Sequence, residues 1–359
     1  MLVYIVLFGV VLSVGIIQYS SCTTIGIESN NGVYITKSFV VFCLVLLSVT
    51  FVEAMRAVTV GEDLTGYLSW FEYYKAVPLN IDTLFDFSAF EPGFMLLYKG
   101  IGLFSTTDRA FIVATSVIIT SLNLYFLFRN SKDFYLSVLL FFGFNHFFTS
   151  MVSLRQYIAI GIVMWILPSL NDKKIGRAVL LGVVSFFFHM TSIIATILMF
   201  AAYFVRNKKR IIPWFSSAAV FFIPVSGALF SLVTRFFTKY QFYSLGDSGR
   251  IGSLRIVYIL LEIALIIYAY FSKGDEDEYT EFSFLLIPAI ACGVLTSIPH
   301  LFRVGYYFDY VMLLMIPKIV ADSKYNRIAL TCIVIIIAIV FFAYYLSVNP
   351  GDTIPYEFY

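Results

Sequence analysis

Along most of its length the chain alternates between long apolar runs and short polar breaks. A helix needs about 20 mainly apolar residues to cross a bilayer, within a range of roughly 17 to 25. On that criterion the predicted spans are Leu2 to Tyr19, Ser38 to Ala57, Arg109 to Phe128, Phe134 to Thr149, Leu154 to Leu170, Arg177 to Phe188, Thr191 to Val205, Ile211 to Thr234, Leu254 to Phe271, Glu281 to Ile298, Val304 to Ala321 and Ile328 to Leu346. The pattern therefore predicts an all-α polytopic membrane protein with about twelve transmembrane helices. The pair flanking His189 is short enough to form one broken, hairpin-like element.

Two segments depart from this rhythm. Between Arg56 and Glu91 the chain is polar and acidic, yet Leu64, Tyr67, Leu68, Phe71 and Tyr74 recur at helical spacing, which predicts a juxtamembrane helix with one apolar stripe. Glu91-Pro92-Gly93-Phe94 then opens an apolar segment ending near Phe104. Pro92 suits the first position of a helix and Glu91 its positive end. The segment is too short to span and Lys99 interrupts it, so a re-entrant or interfacial helix is expected.

Orientation follows from Lys and Arg in the short connectors. Arg129 with Lys132, Lys173 with Lys174 and Arg177, Arg206 with Lys208, Lys209 and Arg210, and Lys324 with Arg327 fall on one side, taken as cytoplasmic. The 58–91 loop, the 235–253 loop, Arg155, His146, His189, His300 and Arg303 then lie toward the outer face. Internal repeats and a domain boundary are not evident, so residues 1–359 are read as a single integral membrane domain.

Composition agrees with the pattern. The chain has 359 residues, 60% hydrophobic and 13% charged, with a mean hydropathy of +0.89; soluble domains carry roughly 25% charge. The net charge of +2 favours no polyanionic partner, and no nucleic-acid role is expected. Cys22, Cys43, Cys292 and Cys332 are scattered without metal or disulfide spacing. P-loop, dinucleotide, zinc-helix and nucleophile-elbow motifs are missing from the sequence, so neither a metal nor another cofactor is expected.

Ionisable groups at membrane depth are costly unless they meet partners, water or substrate. Arg155 is either an arginine snorkelling to the interface or a phosphate-binding guanidinium, whose planar fork never loses its charge. Arg303 repeats that arrangement, and Arg250 and Arg255 are further diphosphate candidates. His189 is either a core histidine bonded to Thr191 or Ser192, or a general base, since imidazole accepts protons near neutral pH. Asp63 and Glu62 are competing bases in a loop where carboxylates are ordinarily solvated. Trp70 and the tyrosines suit sugar stacking or an interfacial belt.

The chain resembles the EpsG/Wzy-type family of bacterial polysaccharide polymerases. The resemblance rests on Arg56 with Val60-Gly61-Glu62-Asp63, Tyr67 and Phe71; on Glu91-Pro92-Gly93-Phe94 with Leu96-Leu97; on Leu154-Arg155-Gln156-Tyr157-Ile158-Ala159; on Phe187-Phe188-His189-Met190-Thr191-Ser192; and on Arg303 with Tyr306-Tyr307-Phe308. Where the family more often has Gly-Thr-Asp-Tyr, this chain has Gly61-Glu62-Asp63-Leu64. The resemblance implies a GT-C-like glycosyltransferase in the bacterial inner membrane, working at the periplasmic or exterior face. It would transfer a polyprenyl-diphosphate-linked glycan onto another lipid-linked repeat unit. His189, Asp63 or Glu62 would act as base, Arg155, Arg303, Arg255 and Arg250 would hold the diphosphate, and Tyr67, Glu91, Tyr306 and Tyr307 would meet the sugars. A flippase and a chain-length regulator would be its partners. An O-antigen ligase and a lipid-linked oligosaccharide transporter are the competing readings; a transporter would spread its charged groups over both faces and show repeat halves.

Overall fold

The computed structural model describes residues 1–20, 36–78, 80, 90–219, 253–272, 276–295 and 301–359. Arg250, His300, Cys22, the whole 81–89 stretch and nearly all of the 235–253 loop lie outside them. Within the described residues the chain is helical, and its only extended pairing is an isolated bridge between Arg56 and Phe358. In chain order the helices are α1 Leu2–Tyr19, α2 Lys37–Ala54, α3 Leu64–Ala76, α4 Pro92–Phe104, α5 Asp108–Asn130, α6 Phe134–Gly143, α7 His146–Val152, α8 Leu154–Val163, α9 Ile166–Asn171, α10 Ile175–Phe188, α11 Ser192–Val205, α12 Ser253–Phe271, α13 Glu276–Val294, α14 Leu301–Asp309, α15 Met312–Asp322 and α16 Arg327–Val348.

Among the described residues, five stretches are long and apolar enough to cross a membrane: α1, α2, α5, Arg303–Asp322 and α16. The bent pair α6 and α7 makes a sixth if taken as one span. Twelve were expected from hydropathy; most of the 211–234 span and the end of the 281–298 span lie outside the described residues, and within them two expected spans are broken inside apolar sequence. The expected span from Phe134 to Thr149 bends by 63° between α6 and α7, where Asn145 takes a left-handed φ of 66°. The expected span from Leu154 to Leu170 is two pieces of 10 and 6 residues. An apolar run gives no sign of such a break, because protein-buried segments are as apolar as lipid-facing ones.

The packing separates two compact units, Met1–Trp165 with Leu180–Met190 and Pro317–Tyr359, and Ile166–Val179 with Thr191–Ile316. In the first unit, α6 is buried at every position and packs against α1, α5 and α16. A β-carbon at Gly143 would stand 2.9 Å from Ala338 Cα, so glycine is what lets α6 and α16 touch backbone to backbone. Interhelical hydrogen bonds tie the bundle: Asn123 Nδ2 to the Tyr157 carbonyl at 3.1 Å, Tyr135 Oη to the Leu12 carbonyl at 3.0 Å, and Thr50 with Thr120 at 2.6 Å.

The stripe expected on the acidic loop is helix α3, with Leu64, Tyr67, Leu68 and Phe71 buried. It packs on α4, where Phe94 and Tyr98 join Tyr67, Phe71 and Phe111 in one aromatic cluster. Both short helices expected near the membrane surface are therefore present, and each covers the other. The C-terminal residues close this end of the unit. Ala57 donates to the Glu357 carbonyl, Gly61 to Asp352, Glu62 to Gly351, and Tyr359 back to Met55. Gly61, at a φ of 109°, makes the turn that this pairing needs.

A β-carbon at position 143 must displace backbone, whereas at Gly9 nothing lies within 4 Å. Gly143→Ala should therefore cost about 1–3 kcal/mol and lower the thermal midpoint in detergent, with Gly9→Ala unchanged or slightly more stable.

Candidate active site

Glu91 sits at the start of α4, with Pro92 as the first helical residue. Its side chain makes no capping bond to its own helix and so is free to reach outward. Gly93, two residues on, is what brings a partner within reach. A β-carbon there would stand 2.7 Å from the Phe187 carbonyl oxygen and 3.0 Å from its carbon, so only glycine lets the last turn of α10 lie against the first turn of α4. His189 and Met190 follow directly on that turn.

Arg155 reaches the same place from the third side. The helix breaks at Ser153, where φ is −95° and ψ is 62°, and α8 begins at Leu154. A cation in the first turn of a helix opposes the helix dipole, so Arg155 needs a compensating anion. Glu91 Oε2 supplies it, accepting from Arg155 Nη1 at 2.7 Å. Glu91 Oε1 accepts from the Met190 amide at 3.1 Å and lies 3.3 Å from His189 Nδ1, a close approach not aligned as a hydrogen bond. One carboxylate thus gathers a guanidinium, an imidazole and a backbone amide from α8 and the end of α10.

The surroundings sharpen this. The Glu91 side chain is only 6% exposed, against 27% for Arg155 and 19% for His189, so the carboxylate forms the floor and the guanidinium and imidazole the accessible rim. The Arg155 guanidinium lies over the Phe90 ring, 4.5 Å from its centroid, and its Nε has no hydrogen-bond partner. Burial alone would raise the Glu91 pKa, but the neighbouring His189, the Arg155 charge and the Met190 amide hold the carboxyl down at about 2. Burial pushes the Tyr67 phenol up, against the lowering pull of Arg155.

The other expected site residues divide. Tyr67 is buried within the aromatic cluster beside Arg155, and its backbone carbonyl accepts from Tyr98 Oη at 3.0 Å. Asp63 precedes α3 as its N-cap and Glu62 is exposed. His146 is buried, with Nδ1 2.8 Å from Tyr157 Oη, a core histidine. In the second unit Arg303 is half-buried on α14, Tyr306 is half-buried and Tyr307 is buried, with Thr191 Oγ1 3.5 Å from Tyr307 Oη. Arg255, also in that unit, donates to Asp309 Oδ2 at 3.0 Å and to the Ala289 carbonyl at 2.7 Å, with Glu262 3.8 Å away.

Two buried charge clusters escaped the sequence reading. One is this Arg255, Asp309 and Glu262 group. The other joins Glu53, which accepts from Ser150 Oγ at 2.9 Å, to the fully buried Arg56. The signal was a carboxylate inside an apolar run, Phe-Val-Glu53-Ala and Leu-Leu-Glu262-Ile, which marks a residue that needs a cation nearby.

Apolar spans long enough to cross a membrane, with a half-sheltered arginine and histidine gathered on one carboxylate, define a helical membrane protein. Residues 39–358, nearly the whole chain, match the EpsG family, and the chain belongs to it. EpsG is a family of Wzy-like polysaccharide polymerases that work in the membrane. No curated protein and no solved structure matches the chain.

Because the Glu91 pKa falls on folding from an ordinary 4.5 to about 2, its contribution to stability is complete above about pH 4.5 and is lost as pH falls toward 2. Glu91→Gln should cost about 1–3 kcal/mol at neutral pH by leaving Arg155 uncompensated. It should also flatten the fall in thermal midpoint between pH 5 and pH 3, read by unfolding in detergent.

Proposed function

We propose that the chain is a GT-C-like glycosyltransferase that polymerises a polysaccharide. It transfers a growing glycan from polyprenyl diphosphate onto the terminal sugar of a second lipid-linked repeat unit, at the outer face of the bacterial inner membrane. The observation that carries this reading is the single carboxylate of Glu91 holding Arg155 and His189 side by side at a half-exposed rim, in a chain that belongs to the EpsG family.

The leaving group is a diphosphate, whose negative charge grows as the glycosidic bond breaks. A fixed guanidinium in a water-poor setting stabilises that charge more than water does. Arg155 fits the task because Glu91 and the Tyr67 phenol hold its guanidinium in place while its Nε has no hydrogen-bond partner. Arg303, Arg255 and Arg250 are the further diphosphate candidates of this reading; Arg250 lies outside the described residues, and Arg255 is already paired with Asp309.

The acceptor hydroxyl must lose a proton. Glu91 faces Nδ1 of His189, so the tautomer that carries its hydrogen on Nδ1 is favoured and Nε2 is left to accept the proton. Glu91 itself is a positioning residue in this mechanism, since Arg155, His189 and the Met190 amide occupy both its oxygens. Asp63 and Glu62 are the competing bases. Of the sugar-contact candidates, Tyr306 is half-buried while Tyr67 and Tyr307 are buried, and a flippase that delivers the lipid-linked units works with the enzyme.

Arg155→Ala, Arg303→Ala and His189→Ala should each insert in the membrane at normal levels yet yield single repeat units in place of long-chain glycan, resolved on a gel of extracted polymer. Asp63→Asn should keep long chains. Long chains from all three alanine variants, or their loss in Asp63→Asn alone, would overturn the assignment of the site.

A further inference from the structure

A second feature of the first unit lies apart from the Glu91 network. Helices α1, α2 and α5 enclose a groove of about 950 Å³, lined by residues such as Val6, Val10, Leu47, Phe51 and Val117, and capped at one end by Met55 and Phe358. Nearly all its wall is hydrocarbon. None of its lining residues is Glu91, Arg155 or His189. Its volume is at the upper end of small-molecule cavities, about 300–1,000 Å³.

The lining itself is uncharged, but a cation lies just behind the capped end, against Met55 and over Tyr359, the chain neighbour of Phe358. Arg109 begins the stripe of α5 that continues as Val113 and Val117 at four-residue spacing, so its side chain shares the face that lines the groove. The guanidinium is poorly satisfied there. Its Nη2 touches the Met55 thioether, its plane lies over the Tyr359 ring at 4.9 Å, and its Nη1 is buried without a hydrogen-bond partner. A thioether and a ring face are weak acceptors for a group that favours phosphate oxygens. Arg56, bridged through its backbone to Phe358, is fully buried with the Glu53 charge beside it, so the lipid phosphate falls to Arg109. Of the acids nearby, Glu53 is engaged with Ser150, Glu357 accepts from Thr59 at 3.1 Å, and Asp108 precedes Arg109 at the start of α5.

We propose that this groove binds one acyl chain of an anionic phospholipid, with the lipid phosphate on Arg109. Length selects the occupant. The α1 wall runs from Leu2 to Val14, roughly 18 Å at 1.5 Å per residue, a little over half the ~30 Å hydrocarbon core. That matches one leaflet, and so one acyl chain, whereas a long isoprenoid chain would overrun it. The site is a resident-lipid site, separate from the one that carries the proposed chemistry, and it stands whether or not the polymerase reading holds.

The test uses the full chain in nanodiscs of equal phosphatidylglycerol and phosphatidylethanolamine with a polyprenyl phosphate added, and native mass spectrometry to identify retained lipid. The expected result is one phosphatidylglycerol per chain, held roughly tenfold over phosphatidylethanolamine. Arg109→Gln should bring that ratio near one, and Val117→Trp should empty the groove. Arg155→Ala should leave retention unchanged. Equal retention of the two phospholipids by the unsubstituted protein, an unchanged ratio in Arg109→Gln, or displacement by the polyprenyl phosphate would each overturn the proposal. The last would assign the groove to an isoprenoid lipid.

Discussion

The constraint that organises the first unit is the cost of an ionised group in apolar surroundings. Arg155 starts a short helix, where the dipole already disfavours a cation, and lies among aromatic rings. It is tolerable there only because Glu91 reaches it at 2.7 Å. Glu91 can do so because Pro92 begins its helix without recruiting the carboxylate as a cap, and because Gly93 admits the α10 backbone. The Glu-Pro-Gly sequence is therefore one device. It supplies an acid, frees that acid's side chain, and opens the space through which His189 approaches.

The same logic recurs wherever charge enters the bundle. Glu53 is tied to Ser150 beside Arg56, and Glu262 and Asp309 sit with Arg255. In each group a carboxylate within an apolar helix is matched by an arginine, the cation least willing to shed its charge. Breaking one partner of such a pair leaves the other exposed to the full desolvation penalty. These clusters hold helices in register, and the half-sheltered one at Glu91 combines arginine with histidine at an accessible rim.

Much of the site was legible in the chain. The helical stripe of α3, the Pro92 start of α4 and the identities of Arg155 and His189 follow from spacing and from the rarity of charge in apolar runs, because both are local properties. The role of Glu91 was not legible. As a sequence feature it suits a helix N-terminus, and only the meeting of α4 with the end of α10 turns it into the carboxylate between Arg155 and His189. Nor does residue type alone separate His189 from His146, which is bonded to Tyr157 in the core.

Amino-acid order determined that the chain is helical and apolar, where its polar breaks fall, and which few ionisable residues stand in unfavourable surroundings. Those conclusions need only the period of a helix and the price of charge in hydrocarbon. The tertiary structure decided how the apolar runs are cut, as at Asn145 and Ser153, and which charges meet. Both depend on contacts between residues far apart in sequence, such as Glu91 with Arg155 and His189, and hydropathy carries no record of them.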